Sequence, residues 1–466
     1  MSSVESTMID ESVRSDSVGT GEGGGGRGAM YLAGVFLALG AIVPSLLIAD
    51  PVPARALSIA IICIVLWLSE IVPSFVPTIV LWAAVPLLLG SYSADFALGK
   101  VIGWSADPVM PLFFGGFALS VAASKYGLDS ALAAGAINLS RGQRLRLLFL
   151  TAFATAFLSM WISNIAAAAM MIVALRPVLR EPEMGDRFRR GMLLAIAFGA
   201  DFGGIATPIG SGPNAIAIAA AARTHSITFV QWMAFGIPLS VLLIIAATTM
   251  VYWHFGESRP LTSLPSKSAP VGTAGRRLIA ISLATILLWL TEPFHGVSAA
   301  VVALACTALL FLCRLLGRDD LGRIDWATLL LIAGGLGLGR MLEQSGVIAA
   351  AAAAVPWGEV PHFVMILALC LTSAFLSALM SNTGTTTMLI PLAATISPEP
   401  STAVLVAISA SLGIPFVIST PPNAMVYGEG GLESRDLLVP GMVIMIVGCL
   451  VISATGPFIL ELIGVP

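Results

Sequence analysis

Polar residues in this chain are gathered between long apolar runs instead of being confined to one face of each element. The first run extends from Tyr31 to Ala49. Because about 20 apolar residues in a helix cross the hydrocarbon core of a bilayer, each run predicts a transmembrane helix, and the pattern predicts about 11 of them. The predicted spans lie near residues 31–49, 55–72, 74–90, 106–124, 191–222, 229–253, 278–293, 297–313, 326–355, 402–427 and 441–463.

Two further apolar stretches, 147–175 and 363–396, are too long for one crossing helix each. At a rise of about 1.5 Å per residue, a helix of about 30 residues exceeds a hydrocarbon core that is about 30 Å thick. Each stretch also contains a Ser-Asn pair near its middle. Two half-length helices that meet at this pair fit the length better, so each stretch predicts a re-entrant helical hairpin.

The basic residues give this layout an orientation, because cytoplasmic segments of membrane proteins are rich in Lys and Arg. With the N-terminus in the cytoplasm and the C-terminus outside, every Lys and Arg between spans falls inside except Arg55, Lys100 and Arg223. Stretch 147–175 has arginines beyond both ends, whereas stretch 363–396 has no Lys or Arg at either end. The two hairpins are therefore expected to enter the membrane from opposite faces.

Composition narrows the class of protein. The sequence is 57% hydrophobic and 11% charged, with a mean hydropathy of +0.96, whereas soluble proteins have about 25% charged residues. A soluble enzyme or a nucleic-acid binder would lack the polar surface it needs, so we expect a multi-pass protein of the inner (plasma) membrane, in contact with lipid. Residues 1–30 are rich in Ser and Gly and predict a disordered cytoplasmic tail.

The two halves of the chain repeat one series of motifs. A Gly-Gly pair precedes Ser163 by 48 residues in the first half and Ser381 by 47 residues in the second. Because the halves begin on opposite sides of the membrane, the repeat is inverted, as in many secondary transporters. The predicted domains are scaffold helices at 31–105, repeat 1 at 106–253, a cytoplasmic loop and scaffold helices at 254–323, and repeat 2 at 324–463.

Asparagine marks the candidate site. The chain has five asparagines, and four of them fall in the repeated motifs: Asn164, Asn214, Asn382 and Asn423. An amide inside the membrane is costly unless its hydrogen bonds are met, so this concentration indicates a function. The alternative is that these side chains only cap half-helices and hold the hairpin tips.

Each Ser-Asn pair has a second serine four residues before its own. Ser159 precedes Ser163, and Ser377 precedes Ser381. This spacing places two hydroxyls on one helical face beside the helix break. A single Ser-Asn pair is a weak signal, but the same arrangement occurring twice is a strong one.

The two Pro-Asn motifs are GSGPN, from Gly210, and STPPN, from Ser419. Their prolines are expected to break a helix and to free the carbonyls of Gly210 and Ser419. Carbonyl, hydroxyl and amide oxygens together form a neutral cage suited to Na⁺. The breaks also create helix N-termini inside the membrane, which attract anions. None of the four motifs contains Lys, Arg or His, so hydroxyls, amides and helix N-termini would hold the anion beside Na⁺.

With these motifs the chain resembles the divalent anion:sodium symporters (the DASS family), which carry dicarboxylates, citrate or sulfate. Members have two Ser-Asn-Thr signatures at hairpin tips and two Thr-Pro-Pro-Asn-like motifs on unwound helices. The resemblance covers roughly residues 30–463 and is stronger in the second half, at Ser381-Asn382-Thr383 and Thr420-Pro421-Pro422-Asn423. It implies an all-α polytopic homodimer in which a transport domain moves against a scaffold as an elevator.

The resemblance also implies the site residues. One Na⁺ site is expected at Ser159, Ser163, Asn164 and Gly210, and a second at Ser377, Ser381, Asn382 and Ser419. Substrate contacts are expected from Asn164, Ser211, Asn382, Thr383, Thr420 and Pro421. Na⁺ is the coupling ion that this implies, and the substrate is a small di- or tricarboxylate, sulfate or a related anion.

Two residues depart from the family pattern in the first half. Ile165 stands where the first signature has Thr, and Gly212 replaces the first Pro of the Pro-Pro-Asn motif. Ile165 removes a hydroxyl from one end of the expected substrate site, so either the change is neutral or the substrate is less polar there. Of the other polar residues in the spans, Asp201 is interpreted as a helix-end residue, and Arg340 is expected to pair with Glu343.

These observations favour a secondary active transporter that couples inward Na⁺ flow to uptake of a small anion. A Na⁺-independent anion exchanger of the same fold is the first alternative, and the two Ser-Asn cages argue against it. An integral membrane enzyme is a remote alternative, because the spans contain no paired carboxylates, no HExxH motif and no activated nucleophile.

Overall fold

The computed structural model describes residues 25–69, 71–222, 224–257, 259–262, 272–353 and 360–466, and within them all regular structure is helical. The α-helices are α1 (Gly25–Leu47), α2 (Pro51–Ser69), α3 (Val76–Leu89), α4 (Leu98–Gly103), α5 (Val109–Lys125), α6 (Leu128–Ser140), α7 (Arg144–Ser159), α8 (Asn164–Leu179), α9 (Asp186–Gly203), α10 (Gly212–Ala221), α11 (Phe229–Phe255), α12 (Thr273–Leu290), α13 (Glu292–His295), α14 (Ala299–Leu312), α15 (Trp326–Gln344), α16 (Val347–Ala353), α17 (His362–Leu379), α18 (Asn382–Ile396), α19 (Pro400–Ala410), α20 (Pro421–Gly428) and α21 (Ser434–Leu462). Short 3-10 helices occupy Ala94–Phe96, Pro182–Met184 and Arg318–Arg323.

Five of these helices, α11, α12, α15, α17 and α21, are long and apolar enough for each to cross a membrane. Other apolar helices are shorter, among them the hairpin helix α8 and the half-helices α10 and α19. Many large apolar side chains point outward, such as Leu47, Leu87 and Phe294. Exposed apolar surface of this extent suits contact with lipid and does not suit contact with water.

Both apolar stretches with a Ser-Asn pair form hairpins, as the sequence predicted. The first is α7 and α8, and the second is α17 and α18. At the open end of the first, the Arg144 guanidinium donates to the carbonyl of Met184, 2.8 Å away. At the open end of the second, His362 Nε2 lies 3.4 Å from Glu399 Oε2. Each hairpin therefore returns to the side on which it started.

The two hairpins open at opposite ends of α21, a 29-residue helix that is about 43 Å long. Near the opening of the first hairpin, Arg190 lies 3.1 Å from Glu433, just before α21 begins. Beyond the other end of α21, the carbonyl of Pro466 accepts a hydrogen bond from the backbone N–H of Ser401, 3.1 Å away and just after α18. This opposite placement is the geometry of an inverted repeat.

The two repeats interlock through their broken helices. In repeat 1, α9 ends at Gly203 and α10 begins at Gly212; in repeat 2, α19 ends at Ala410 and α20 begins at Pro421. Helix α10 packs against α18 and α19 of the other repeat, and α20 packs against α8 and α9. Each half-helix after a break is thus buried in the opposite repeat, and the breaks lie where the repeats meet.

Two further apolar clusters join helices outside the hairpins. Helices α2, α3, α4 and α15 share one apolar cluster, which includes Trp67, Leu81 and Leu338. Helices α5, α11, α12 and α14 share another, which includes Trp289 and Val302. Of these helices, α2, α3, α4, α12 and α14 lie in the predicted scaffold, whereas α5, α11 and α15 lie wholly or mostly in the predicted repeats.

Some predicted spans differ from the observed helices. The predicted span 326–355 is divided, because α15 ends at Gln344 and Gly346 adopts a φ of +79° before α16. In the first repeat, Gly127 has a φ of +67° and turns the chain from α5 into α6, a helix that the sequence analysis did not predict. Glycine accepts this left-handed conformation without strain. Short polar stretches stand beside both turns, with Lys125 and Asp129 around Gly127 and with Glu343 and Gln344 before Gly346.

Several predicted segments fall partly outside the described residues, including the spans 55–72 (residue 70) and 326–355 (residues 354 and 355). Of the predicted tail 1–30, residues 1–24 lie outside, and α1 already begins at Gly25. Of the predicted cytoplasmic loop within 254–323, residues 258 and 263–271 lie outside.

Candidate functional site

A cavity of about 260 Å³ lies where the two repeats meet. It is lined by most of the predicted site residues from both repeats: Ser163, Asn164, Ile165, Gly210, Ser211, Ser381, Asn382, Thr383, Thr420 and Pro421. The remaining three, Ser159, Ser377 and Ser419, are buried behind the lining. The volume is below the ~300–1,000 Å³ of sites for drug-sized ligands, so the cavity suits a small metabolite.

Four helices begin at this cavity. Its lining includes the first residues of α8, α10, α18 and α20: Asn164, Gly212, Asn382 and Pro421. The first N–H groups of a helix have no partner within the helix, and the helix dipole places partial positive charge there. Four such ends around one cavity favour an anion. The positive potential comes from these helix ends, because no Lys, Arg or His is among the described residues that line the cavity.

In the first half of the site, Ser159 Oγ lies 2.8 Å from Asn164 Oδ1. Asn164 Oδ1 and the carbonyl oxygen of Gly210 both approach the α-carbon of Gly204. A methyl group on Gly204 would overlap Asn164 Oδ1 and would lie 3.1 Å from the Gly210 oxygen. The missing side chain of Gly204 therefore allows two predicted Na⁺ ligands, Asn164 and Gly210, to place an oxygen atom close beside this glycine. Neutral oxygens of this kind are suitable ligands for a hard cation.

The second half repeats the first contact. Ser377 Oγ lies 2.7 Å from Asn382 Oδ1. The Ser419 hydroxyl donates to the carbonyl of Ala378, 2.9 Å away, which fixes the second unwound loop to the hairpin beside Ser377. Gly413 allows this close approach, since a methyl group there would lie 2.6 Å from the carbonyl oxygen of Ala374.

The serines that directly precede the two asparagines cap the second helix of each hairpin. Ser163 Oγ accepts from the N–H of Ala166 at 3.2 Å, and Ser381 Oγ accepts from the N–H of Gly384 at 3.1 Å. A capping serine satisfies one of the free N–H groups of the first turn. Their hydroxyls thus shape the hairpin tips and line the cavity at the same time.

The asparagines of the Pro-Asn motifs hold the unwound loops. The Asn214 amide donates to the carbonyls of Gly204 and Thr207, both 2.8 Å away. The Asn423 amide donates to the carbonyls of Ile414 at 3.0 Å and Phe416 at 3.2 Å. These contacts satisfy backbone groups freed by the helix breaks. The two amides therefore act structurally, which is the alternative that the sequence left open for them.

The prolines of the same motifs start helices instead of ending them. Each broken helix has already ended, at Gly203 or Ala410, before its motif is reached. Pro213 and Pro421 lie in the first turns of α10 and α20. Proline is favoured there because its missing N–H would have no partner in any case. The sequence located both breaks, but placed them several residues too late.

Ile165 and Thr383 occupy equivalent positions at the two hairpin tips. The side chain of Ile165 is 48% exposed at the cavity. The Thr383 hydroxyl points at Gly212 of the other repeat, because a methyl group on Gly212 would overlap its Oγ1. Gly212 is therefore the residue that leaves room for Thr383.

Asp201 is the functional candidate that the sequence analysis underrated. It lies on α9 two residues before that helix ends, as a helix-end residue would. Its side chain is 1% exposed, and its Oδ2 accepts from the Thr420 hydroxyl of the other repeat at 3.0 Å. Asp201 also lines the cavity. Its separation from Thr420 in sequence, 219 residues, hid this contact.

Arg340 and Glu343, by contrast, lie 3.5 Å apart, as predicted, and do not line the site cavity.

Comparison with known families decides the class of this protein. A family model described as a citrate transporter (CitMHS) matches residues 64–407 and 364–463, most of the chain. The chain belongs to the citrate transporter family. It is therefore an anion transporter and not an enzyme, and it is a multi-pass membrane protein.

Two uncharacterized transporters are among the relatives of this citrate-family transporter. One, from Methanocaldococcus jannaschii, is 30% identical over 441 residues, covering 91% of this chain and 98% of the relative. The other, from Haemophilus influenzae, is 30% identical over 443 residues, covering 87% of this chain and 91% of the relative.

Other relatives have an assigned function. The sodium-dependent dicarboxylate transporter SdcS of Staphylococcus saprophyticus is 26% identical over 431 residues, covering 83% of this chain and 82% of the relative. Among solved structures, the YdaH transporter of Alcanivorax borkumensis is similar with a TM-score of 0.59 and 16% identity, covering 83% of this chain and 98% of that chain. The likeness to YdaH concerns the fold alone. Together with the family match, these findings confirm a DASS-type transporter with an all-α polytopic fold.

Proposed function

We propose that this transporter couples inward movement of Na⁺ to uptake of a small di- or tricarboxylate, sulfate or related anion. The observation that carries the proposal is the convergence of two matched Ser–Asn oxygen pairs and four helix N-termini on one cavity of about 260 Å³. The helix ends favour the anion, and the oxygen pairs favour a cation on either side of it.

The expected ion ligands are Ser159, Ser163, Asn164 and Gly210 in the first half and Ser377, Ser381, Asn382 and Ser419 in the second. Substrate contacts are assigned to Asn164, Ile165, Ser211, Asn382, Thr383, Thr420 and Pro421, all of which line the cavity. Support for Na⁺ comes from the neutral oxygens that surround the space beside Gly204. The named function of SdcS, a sodium-dependent dicarboxylate transporter, agrees with this assignment.

The test is uptake into proteoliposomes that contain the purified full chain. Labelled succinate, citrate and sulfate are offered separately under an inward Na⁺ gradient or an equal K⁺ gradient. We expect at least one anion to accumulate with Na⁺ and not with K⁺. Uptake that ignores Na⁺ and requires anion inside the vesicle would establish the exchanger instead.

Two serines one turn apart on α17 provide a matched pair of variants. Ser377→Ala removes an oxygen beside Asn382, whereas Ser373→Ala removes a hydroxyl that donates to the carbonyl of Val406, away from the cavity. Ser377→Ala should raise the Na⁺ concentration needed for half-maximal uptake, and Ser373→Ala should not. Equal Na⁺ dependence in both variants would remove Ser377 from the ion site.

We further propose that the N-terminus is cytoplasmic, that the C-terminus is outside, and that two copies form an elevator-type homodimer. Support for the orientation comes from the arginines on one side of the predicted spans. A membrane-impermeant maleimide should label Pro466→Cys in intact cells. It should label the exposed native Cys313 only after permeabilisation.

Light scattering in detergent should give twice the 48.2 kDa mass of one chain; a monomer would contradict the dimer.

A further inference from the structure

Another cavity, of about 760 Å³, lies away from the transport site, between the start of α9, the end of α11 and the start of α21. Its charged lining residues, such as Arg187 and Arg435, come from the first turns of α9 and α21. Its apolar lining includes Met250 of α11 and Val439 of α21, each about one turn further into its helix. The cavity therefore has a charged end and an apolar end.

The charged end has more arginines than nearby carboxylates can balance. The close pairs are Arg189 with Asp186, Arg190 with Glu433 and Asp436, Arg435 with Glu433 and, outside the cavity, Arg144 with Glu257. Arg187 has no carboxylate partner among the described residues. Its Nε donates to the carbonyl of His254, 3.0 Å away, and its Nη2 donates to the same oxygen. One positive charge is thus left uncompensated at the cavity.

The apolar end continues into an exposed face of α21. Val439, Val443 and Val447 are exposed and follow one another at intervals of four residues, so they share one side of the helix. Trp253, in the last turn of α11, is exposed beside the charged end. Tryptophan at the end of a spanning helix is typical of the membrane–water interface. The charged end accordingly lies at the level of lipid headgroups, and the face of α21 lies at the level of acyl chains.

A phospholipid matches both ends of this cavity. Free phosphate would occupy only the charged end and would leave Met250 and Val439 without an apolar partner. A phosphodiester suits Arg187, because a guanidinium donates two parallel hydrogen bonds to phosphate oxygens. The single negative charge of a phosphatidylglycerol headgroup equals the one uncompensated charge of Arg187. Phosphatidylcholine adds a positive charge, which the arginines would repel.

We propose that this cavity binds one anionic phospholipid of the phosphatidylglycerol type. The phosphate lies against Arg187, and an acyl chain follows the face of α21 that Val439 begins. Because α9 belongs to the first repeat and α21 to the second, the lipid joins the two repeats at the face proposed to be cytoplasmic. Basic pockets between spanning helices on that side are suited to anionic headgroups. This site goes beyond the proposed function and does not depend on it.

Native mass spectrometry of the purified full chain measures the binding. Equimolar phosphatidylglycerol and phosphatidylcholine with identical acyl chains are titrated into the protein in detergent, and bound lipids are told apart by mass. We expect the first bound lipid to be phosphatidylglycerol. Arg187→Gln should weaken its binding about fivefold, the effect of one basic residue at an anionic membrane surface, and should leave phosphatidylcholine binding unchanged.

Two further variants assign the effect to the charge in this cavity. Arg187→Lys keeps the positive charge and should retain most of the preference for phosphatidylglycerol. Arg277→Gln removes an exposed arginine of α12 that is outside the cavity but on the same predicted side of the membrane, and it should bind like the wild type. Equal binding in wild type and Arg187→Gln would overturn the proposal, as would an equal loss in Arg187→Gln and Arg277→Gln.

A competition experiment separates a lipid from a soluble anion. Glycerophosphoglycerol, the same headgroup without acyl chains, should not displace phosphatidylglycerol at millimolar concentration. Displacement would show that the cavity binds a soluble phosphodiester and would reject the lipid. A first bound lipid that is phosphatidylcholine would reject the anionic headgroup. None of these results bears on Na⁺-dependent anion uptake, which is measured separately.

Discussion

A serine hydroxyl facing the amide oxygen of an asparagine five residues later occurs once in each half of the site. The two distances, 2.8 Å for Ser159 to Asn164 and 2.7 Å for Ser377 to Asn382, agree closely. The proposed oxygen cages at the two helix breaks would require this same local geometry in both halves. Substitution of any of these four side chains should therefore have a large effect on ion binding.

Removal of the amide oxygen should impair both cages. Asn164→Ala and Asn382→Ala should each abolish Na⁺-driven uptake at physiological Na⁺. Each loses a hydrogen-bonding oxygen next to a cation, worth about 1.5–3 kcal/mol, or about 10- to 150-fold in Na⁺ affinity. The measurement is Na⁺-dependent uptake at equal expression.

The fifth asparagine offers a control for this pair. Asn138 lies exposed on α6, outside the cavity. Asn138→Ala should transport like the wild type. Near-normal uptake in Asn164→Ala or Asn382→Ala would contradict the two-cage assignment.

Ile165 should set the specificity at one end of the cavity. A buried acceptor left unpaired costs about 1–3 kcal/mol, so a substrate that needs a hydroxyl there binds about 5- to 150-fold more weakly. Ile165→Thr should therefore improve binding of symmetric dicarboxylates such as succinate and weaken binding of the native substrate. Competition against one labelled anion in both proteins measures this. Tight succinate binding in the wild type that Ile165→Thr leaves unchanged would show that residue 165 does not face the substrate.

At the scale of helices, the two glycines of each Gly-Gly pair, at 115–116 and 334–335, contact different parts of the molecule. The first glycine packs on flanking helices: a methyl group on Gly115 would lie 2.6 Å from Ala303 Cβ, and one on Gly334 would overlap Thr78. The second glycine faces the elements of the site. A methyl group on Gly116 would lie 3.2 Å from Ile209, and one on Gly335 would lie 3.0 Å from Thr387.

The helix break at Gly204 should be the most sensitive glycine position for Na⁺. Gly204→Ala fills the space between Asn164 Oδ1 and the Gly210 carbonyl, and overpacking of this kind costs about 1–3 kcal/mol. We expect the half-maximal Na⁺ concentration for uptake to rise about 5- to 150-fold.

Gly135→Ala is the matched control, because nothing lies within 4 Å of the added methyl group on α6. It should leave the Na⁺ dependence unchanged. If both variants have the wild-type Na⁺ curve, the space beside Gly204 is not the ion site.

At the scale of the whole molecule, the net charge that crosses the membrane in one transport cycle decides whether the membrane potential drives uptake. Entry of two negative charges into a cell at −100 mV costs ~4.6 kcal/mol, at ~2.3 kcal/mol per charge. Two Na⁺ would only neutralise a dianion, so the potential drives uptake only if at least three positive charges enter with it, and we expect a net charge of at least +1 per cycle.

An imposed potential tests this charge. Proteoliposomes with a valinomycin-generated K⁺ potential, negative inside, should take up a confirmed dianion faster than vesicles without one. Uptake that ignores the potential would indicate an electroneutral cycle with two positive charges or an exchange cycle.

The sequence by itself determined the class of fold, both hairpins and ten of the residues that line the cavity. The membrane makes this possible, because the length of an apolar run and the charge at its ends are local properties. The Ser-Asn pairs at 163–164 and 381–382 were found in the same way, since a polar pair inside an apolar run is itself a local anomaly. The turns at Gly127 and Gly346 were missed because the polar residues beside them, such as Lys125 and Glu343, form only short interruptions between apolar runs.

Only the tertiary structure decided what those residues face. Convergence of four helix N-termini, the insertion of α10 and α20 into the opposite repeats, and the contact of Thr420 with Asp201 all join segments far apart in sequence. The role of the Asn214 and Asn423 amides was decided in the same way, by carbonyls whose positions depend on where each helix unwinds. Such contacts depend on packing between the two repeats, and no local pattern of residues encodes the distance between them.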